Sequence, residues 1–362
     1  MNKEYDSYLS WSNNVTYYCK KDGHYILGDY TGIKTQQDNY AIDESGNLVE
    51  YSTFVWRSYE IVTPHDNAKT IDTQNLYTLH DNDCKKIYDK LEPHKEIPTA
   101  NNTIEFGFLL FNNHWVNFSH TLNEALPRLI LYKLLYNINN HHLMLLIQRC
   151  FYTQYIADIL ELFGIQKDQI RFLEDNNSYN IKTLVCSKLC HGADWPQENL
   201  KTDFFLQLRK KLKVDRKTEG TGRVIYIARN DNYSLNRHMK NEAEVIEFLK
   251  CNYHAIIINN IAELNLFEKS KKLLDCDLLI TPLGAQCMNI LLSTIPNKIL
   301  FINSYPFPYF KDLIYHISNK ECTKTVIHEY NDNIKHIDIN VYTSAYIVDI
   351  EKLNDSINMI NK

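Results

Sequence analysis

Two ionisable side chains stand four residues apart at the start of an apolar helical pattern. His120 and Glu124 fall on one face of a helix predicted over residues 120–136. An imidazole and a carboxylate placed in this way can take a proton from a hydroxyl group, one acting as the general base and the other orienting it. Because such pairs also arise by chance on surface helices, the spacing alone leaves a purely structural interpretation open.

Cationic side chains follow a short apolar strand in the second half of the chain. Arg229 comes directly after the predicted strand 223–228, and Arg237, Asn241 and Glu242 follow it. Ligands of open α/β sheets bind at the carboxyl ends of parallel strands, and the planar guanidinium of arginine suits a diphosphate. The alternative is a solvated arginine in a polar surface loop.

A third segment joins a buried strand to a helix through a tight turn. The predicted strand 278–281 runs into Gly284 and Ala285, and a helix predicted from Gln286 carries Asn289. Small residues allow a ligand to approach the backbone, and the free amides of a helix start bind phosphate. An ordinary strand–turn–helix connection would have the same pattern.

The sequence predicts no metal site. Aspartates separated by one residue occur at Asp81–Asp83 and at Asp275–Asp277, about as often as chance gives in a chain so rich in aspartate. Cys186, Cys190 and His191 have the spacing of half a zinc site, but no second pair of that spacing accompanies them. A metal-dependent enzyme that uses Asp81 or Asp275 remains an alternative.

Predicted strands and helices alternate along the chain, and they must position these residues. Residues 1–103 are rich in short strand patterns and are predicted to be a β-rich N-terminal region. Two series of strands and helices follow, over 104–214 and 222–345, and the charged stretch between them reads as a linker. Such alternation predicts parallel sheets, and two series in succession indicate two Rossmann-like domains facing a cleft. Residues 346–362 form a C-terminal segment.

Composition narrows the function classes. The net charge of −5 argues against nucleic acid as the main partner, because phosphate backbones require a cationic surface. No stretch has the length and apolarity of a membrane span or a signal peptide, so we expect a soluble, cytoplasmic protein. Nine scattered cysteines form no disulfide framework, which favours a reducing compartment.

Taken in order, the three segments resemble glycosyltransferase family 61. The family pattern has a histidine, an acidic residue four positions later and Leu-Pro-Arg; then a strand ending in Ala-Arg, an arginine and Asn-Glu; then Gly-Ala and a helix with an asparagine. The matching residues here are His120, Glu124, Leu126–Arg128, Ala228–Arg229, Arg237, Asn241–Glu242, Gly284–Ala285 and Asn289. The family has a histidine where this chain has Leu283.

The resemblance implies a GT-B-like α/β fold, in which 1–214 form an acceptor domain and 222–345 a nucleotide-sugar domain. Residues 346–362 would then pack back on the N-terminal domain. It also implies an inverting reaction with a UDP-sugar, most often UDP-xylose or UDP-N-acetylglucosamine, and a glycan acceptor. With no metal or other cofactor expected, the departing diphosphate would be held by the arginines and amides of the second domain.

The resemblance also implies roles for individual residues. Glu124 would be the base with His120 beside it, and Arg128 would lie on the acceptor side. The predicted donor-binding residues are Arg229, Arg237, Asn241, Glu242, Gly284, Ala285, Gln286 and Asn289. A cytosolic member from a bacterium or a virus fits best, and homo-oligomerisation is left open. Because of Leu283, a non-catalytic protein that binds nucleotide sugars or glycans is the alternative function.

Overall fold

A computed structural model describes the chain in segments. These are residues 9–19, 33–37, 40–42, 44, 55–59, 103–110, 118, 121–138, 142–149, 152–174, 177–187, 198–214, 222–229, 239–282, 285–293, 298–302, 326–329, 334–336 and 346–361. The chain divides into two compact units, residues 1–191 and 192–362. The division lies before the helix that precedes the predicted linker, whereas the sequence placed that helix in the first domain.

The first unit contains a mixed sheet whose parallel part is built from its later strands. Its described strands are β1 (Leu9–Cys19), β2 (Ile33–Gln37), β3 (Tyr40–Ile42), β4 (Val55–Tyr59), β5 (Thr103–Leu109), β6 (Met144–Gln148), β7 (Ile170–Leu173) and β8 (Asn177–Ser187). The sheet order is β3-β1-β8-β5-β6-β7. Strands β8, β5, β6 and β7 run parallel, while β1 and β3 add an antiparallel edge. Strands β1 and β3 are therefore part of the same sheet, whereas β2 and β4 form a separate antiparallel pair.

The helices of the first unit follow β5 and β6. Helix α1 (Leu129–Ile138) begins later than the pattern from residue 120 predicts, because a π-helical turn (Thr121–Ala125) and a 3-10 turn (Leu126–Arg128) precede it. Pro127 has no N–H to donate, so a regular α-helix cannot run through this position without losing a bond. Helix α2 (Gln154–Leu162) ends as predicted at Gly164, whose φ of +74° suits a glycine.

The second unit contains a five-stranded parallel sheet. Its strands are β9 (Val224–Ile227), β10 (Ile256–Ile258), β11 (Leu278–Pro282), β12 (Lys298–Ile302) and β13 (Val326–Glu329). The order is β10-β9-β11-β12-β13, and every neighbouring pair is parallel. Numbered from β9, this is the order 2-1-3-4-5 of a doubly wound α/β fold. The prediction of an α/β fold with parallel sheets is confirmed.

The described helices of the second unit precede, connect and follow these strands, and a small second sheet lies near the end of the chain. The helices are α3 (Glu198–Leu212), α4 (Glu242–Tyr253), α5 (Leu266–Leu273) and, at the end of the chain, α6 (Ile350–Asn361). The helix predicted after β11 is a 3-10 helix (Ala285–Leu292). A small antiparallel pair, β14 (Ile334–His336) with β15 (Tyr346–Val348), comes before α6.

Helix α6 packs within the second unit. Its apolar residues Leu353, Ile357 and Ile360 belong to the same buried cluster as Tyr226 of β9 and Leu249 of α4. The sequence predicted instead that 346–362 packs on the N-terminal domain. Since the apolar stripe of α6 is buried against its own sheet, this segment is part of the core of the second unit.

Candidate functional site

The topology of the second sheet marks one place where a ligand can bind. Strands β9 and β11 are neighbours, yet their connections leave in opposite directions, to β10 on one side and to β12 on the other. The helices that follow diverge at such a switch point and leave a crevice at the carboxyl ends of the two strands. The predicted donor-binding residues follow these two strand ends in the sequence, so the sheet brings both predicted segments to the same edge.

Arg229 is held at this edge by the first residue of the next helix. One carboxylate oxygen of Glu242 accepts hydrogen bonds from the Arg229 backbone N–H at 2.7 Å and from the Tyr226 hydroxyl at 2.8 Å. A carboxylate in the first turn of α4 is also favoured by the helix dipole. Glu242 was predicted to bind the donor. In the structure it fixes the end of β9, and the half-buried Arg229 is the residue that it positions.

Asn241 has a structural role in this arrangement. Its side-chain amide donates to the Val348 carbonyl at 2.8 Å and accepts from the Val348 N–H at 2.9 Å. The amide therefore pairs with the backbone of β15 as another strand would. Lys240 N–H adds a bond to the Tyr346 carbonyl at 2.9 Å. Both polar atoms of the amide that was predicted to contact the donor are thus engaged by the C-terminal segment.

Buried polar atoms lie at the end of β11. Asn289 is 2% exposed and donates to the Gln286 carbonyl at 2.7 Å. Its Oδ1, and likewise Nε2 of Gln286, has no hydrogen-bond partner among the residues that the structure describes. Unsatisfied buried polar atoms cost roughly 1–3 kcal/mol each, and a bound ligand with hydroxyl or phosphate groups can supply the missing partners.

The remaining donor-site predictions are only partly covered by the structure. Ala285 is the first residue of the 3-10 helix, and its contact with a phosphate stays a prediction. Arg237, Gly284 and the departure at Leu283 lie outside the described residues.

The predicted base lies in the irregular segment after β5. Glu124 is in the π-helical turn Thr121–Ala125, and His120 lies just outside the described residues. Single π turns are frequent at functional sites, because they interrupt the regular hydrogen bonding of a helix. Tyr155 of α2 contacts this segment on both sides of His120. Its ring packs edge-on against Phe118 with centroids 5.4 Å apart, and its hydroxyl is hydrogen-bonded to Thr121.

Arg128 is buried, although the sequence placed it on the acceptor side. Its side chain is 0% exposed, and Nη1 donates to the Leu110 carbonyl at 3.0 Å. Leu110 directly follows β5, so this bond ties the helix start that carries Glu124 to the carboxyl end of the strand. We therefore assign Arg128 a positioning role.

Asp275 and Asp277 lie at the other edge of the second sheet. Both precede β11, and Oδ2 of Asp277 accepts a bond from the Arg223 N–H at 3.1 Å. This pair is therefore at the amino end of the strand, away from the switch point. In the described segments there is no group of three or more His, Cys, Asp or Glu side chains that could hold a metal ion. Asp81, Cys190 and His191 lie outside these segments.

Two site residues were missed by the sequence analysis. Tyr226 alternates with isoleucines in a buried strand, and Tyr155 occupies a helical position next to apolar residues, so both patterns predict ordinary core residues. Burial raises the pKa of the Tyr155 phenol, and the Thr121 hydrogen bond only partly offsets it. Its hydroxyl is therefore protonated at neutral pH and can both donate and accept.

Comparison with known protein families identifies the family to which the chain belongs. Residues 118–300 match the family model described as Glycosyltransferase 61, which is half of the chain's 362 residues. The match begins at the segment that carries Glu124 and ends within β12. The chain belongs to glycosyltransferase family 61. This confirms the family resemblance noted in the sequence and identifies the protein as a glycosyltransferase, which acts on a sugar donor and an acceptor.

No curated protein sequence matches this family 61 chain. Among its described residues, no helix has the length and apolarity needed to cross a bilayer.

Proposed function

We propose that this glycosyltransferase is an inverting, metal-independent enzyme that moves xylose or N-acetylglucosamine from a UDP-sugar to a glycan acceptor. The observation that carries the donor side of the proposal is the carboxyl edge of β9 and β11. Arg229 is positioned there by Glu242, and Gln286 and Asn289 have buried polar atoms for a ligand. We place the UDP-sugar at this edge, and we infer a GT-B arrangement in which the other unit carries the acceptor.

The proposed reaction is one in-line displacement. A hydroxyl oxygen of the acceptor attacks the anomeric carbon, the bond from that carbon to the β-phosphate oxygen breaks, and the configuration inverts. Glu124 takes the proton of the attacking hydroxyl, and His120 orients the carboxylate. UDP leaves with the bonding electron pair, and its growing negative charge is stabilised by Arg229, Arg237 and the backbone amides at Gly284–Gln286.

Metal independence rests on the cationic groups assigned to the diphosphate. Two arginines and a helix start can neutralise a leaving diphosphate without a divalent ion. The carboxylate pair Asp275 and Asp277 lies at the opposite edge of the sheet, where it could not hold an ion against a diphosphate at the switch point. Full turnover in excess chelator is the expected result, and loss of turnover that Mn²⁺ or Mg²⁺ restores would contradict this part.

A panel of nucleotides tests the donor assignment. UDP and UDP-sugars should raise the melting temperature, whereas guanosine, cytidine and NAD compounds should not. A ligand present at 100 times its dissociation constant adds about 2.7 kcal/mol to the free energy of unfolding. Equal shifts from all nucleotides, or none from uridine compounds, would remove the UDP-sugar from the proposal.

Leu283 favours a second candidate function. The family histidine that precedes Gly-Ala is absent here, and a chain that lost one diphosphate contact could retain binding without catalysis. Binding of UDP-sugars with no release of UDP, on any acceptor and in the presence of intact Glu124, would favour a non-catalytic nucleotide-sugar or glycan-binding protein. We place the enzyme in the cytoplasm on the basis of its scattered cysteines.

A further inference from the structure

Four aromatic side chains lie along the carboxyl edge of the first sheet. Phe118 follows β5, Tyr152 and Tyr155 follow β6, and Phe172 is in β7. Because β5, β6 and β7 are parallel neighbours, the ends of these strands meet at one edge. We call these four residues, together with the ion pair described next, the aromatic strip.

An ion pair ends the strip away from Glu124. Arg149 directly follows β6 and Glu174 directly follows β7; both Nε and Nη2 of the arginine lie 3.1 Å from one carboxylate oxygen, Oε1. The guanidinium also stacks on the Phe172 ring, with Cζ 3.7 Å from its centroid. Each side chain is about half exposed, at 52% and 50%. Nη1 and Oε2 make no hydrogen bond to any described residue, so one donor and one acceptor of the pair remain available to a ligand.

The contacts of the strip form two groups, which the chain joins between Tyr152 and Tyr155, and the first group lies at the segment with the predicted base. Tyr155 packs on Phe118 and bonds Thr121, one turn from Glu124. Tyr152 precedes Tyr155 by three residues and packs edge-on against Phe172 with centroids 4.8 Å apart. Phe172 in turn carries the guanidinium of Arg149. Partly exposed aromatic rings are thereby held in fixed orientations from the reaction segment to the ion pair.

This composition suits a carbohydrate better than a protein or a phosphate. The C–H face of a pyranose packs on an aromatic ring, while its hydroxyls need adjacent donors and acceptors such as a guanidinium and a carboxylate. A phosphate ligand would be repelled by Glu174, which already shares the arginine. An exposed ion pair of this kind adds only about 0–1 kcal/mol to folding, so stability alone gives little reason for its geometry.

We propose that the aromatic strip is the acceptor subsite and that it binds an oligosaccharide of two or more rings. This inference rests on the proposed function for the position of the reacting hydroxyl, which lies at Glu124. The sugar ring that receives the new residue lies beside Phe118 and Tyr155. The next rings of the acceptor lie on Tyr152, and their hydroxyls bond to Arg149, which Phe172 holds in place by stacking, and to Glu174.

An array of immobilised mono- to hexasaccharides of common hexoses, pentoses and hexosamines tests the strip without requiring turnover. With UDP present, the wild-type chain should capture at least one sugar series, with binding that rises from one ring to three. Tyr152→Ala and Arg149→Gln should each weaken capture of the longer members by about tenfold, which corresponds to about 1.4 kcal/mol. They should leave capture of the monosaccharide unchanged, because the first ring lies at Phe118 and Tyr155.

Matched control variants come from the same unit. Trp11 is 46% exposed and stacks on Phe106 with centroids 5.9 Å apart, and Lys182 forms an exposed ion pair with Glu105 at 2.8 Å. The Lys182–Glu105 pair lies midway along β8 and β5, and Trp11 is on β1, which β8 and β5 separate from β6 and β7. Trp11→Ala and Lys182→Gln should therefore not change capture. The UDP-induced thermal shift, which depends on the second unit, checks that every variant is folded.

The outcomes separate the strip from the proposed function. The strip is not the acceptor subsite if no saccharide is captured or if capture does not depend on length. The same holds if the strip variants bind the longer sugars as wild type does. Each of these results counts against the strip even when UDP stabilises the protein. If capture follows the predicted pattern while UDP produces no shift, the donor assignment fails and the strip stands; circular dichroism then checks the fold.

Discussion

The carboxyl edges of the two sheets are built in different ways. In the second unit, side chains bond to backbone: Glu242 caps the end of β9, and Asn241 pairs with β15. In the first unit, the equivalent edge is shaped by a π-helical turn, a buried arginine and packed aromatic rings. Under the proposed function, the edge fixed by hydrogen bonds would bind the diphosphate of the donor, and the edge lined by aromatic rings would bind the larger acceptor.

The largest expected effect is on the reaction segment of the first unit. Glu124→Gln keeps the size of the side chain but cannot accept a proton, so turnover should fall by roughly 10²–10⁴-fold. The dissociation constant of UDP should stay within about twofold of wild type, because the donor is assigned to the other unit. Rate and donor affinity are both measured at saturating acceptor.

Glu161→Gln is the control for this change, since Glu161 is an exposed glutamate of the same unit. Turnover of Glu124→Gln within threefold of wild type would remove the base assignment. A parallel fall in melting temperature and UDP affinity would show instead that Glu124 is structural.

Replacing Arg128 tests whether its buried hydrogen bond to Leu110 stabilises the carboxyl edge of the first sheet. Arg128→Met removes the donor to the Leu110 carbonyl, and an unsatisfied buried carbonyl costs roughly 1–3 kcal/mol of unfolding free energy. At about 2–4 °C per kcal/mol, the melting temperature should fall visibly. Arg128→Lys should recover part of the loss, since it keeps the charge without the planar fork.

The exposed Arg171 of β7 provides the matched control, because Arg171→Met should leave the melting temperature almost unchanged. An Arg128→Met protein as stable as wild type would mean that the bond to Leu110 does not hold the edge together.

Glu242 tests whether the second edge positions its arginine. Glu242→Ala removes the acceptor of the Arg229 N–H and the Tyr226 hydroxyl, so UDP affinity should weaken by about tenfold. Glu247→Ala on the same helix should not weaken it, because Glu247 accepts a hydrogen bond from the exposed Cys251 thiol, away from Arg229. Titration calorimetry distinguishes the two variants, and equal UDP affinities would contradict the positioning role.

The smallest effect is expected at the neighbouring residue. Asn241→Ala should lower the free energy of unfolding by about 1–2 kcal/mol, because two hydrogen bonds to Val348 are lost. UDP affinity should remain within about twofold of wild type. A tenfold loss of affinity with unchanged stability would return Asn241 to the donor-binding residues.

The regular elements of both sheets could be predicted from the sequence. The runs at 143–147, 170–173 and 278–281 are short and apolar, and Gly164 ends its helix where the pattern predicts. The irregular helix start before Pro127 and the 3-10 helix after β11 could not be predicted, since periodicity does not distinguish helix types. The pattern of α6 predicts a buried face, yet nothing in it specifies which sheet that face covers.

The candidate site could be predicted only in part, and the reason is similar. Motif spacing identified Glu242 and Asn241 as site residues, but their roles depend on partners that are distant in sequence, such as Val348 at the other end of the unit. Tyr155 and Tyr226 carry no motif and emerge only from their contacts. Residue types therefore indicated candidate site residues, and three-dimensional contacts showed which of them, such as Glu242 and Asn241, are engaged by the backbone.

The binding isotherm of UDP with Arg229→Ala tests the central assignment most directly. A charge-assisted contact to a diphosphate is worth roughly 2–4 kcal/mol, so the dissociation constant should rise by about thirtyfold or more while the melting temperature without ligand stays unchanged. Arg223→Ala, at the amino end of the same strand, should bind UDP as wild type does. An Arg229→Ala protein that binds UDP within threefold of wild type would contradict a donor site at the carboxyl edge of β9 and β11.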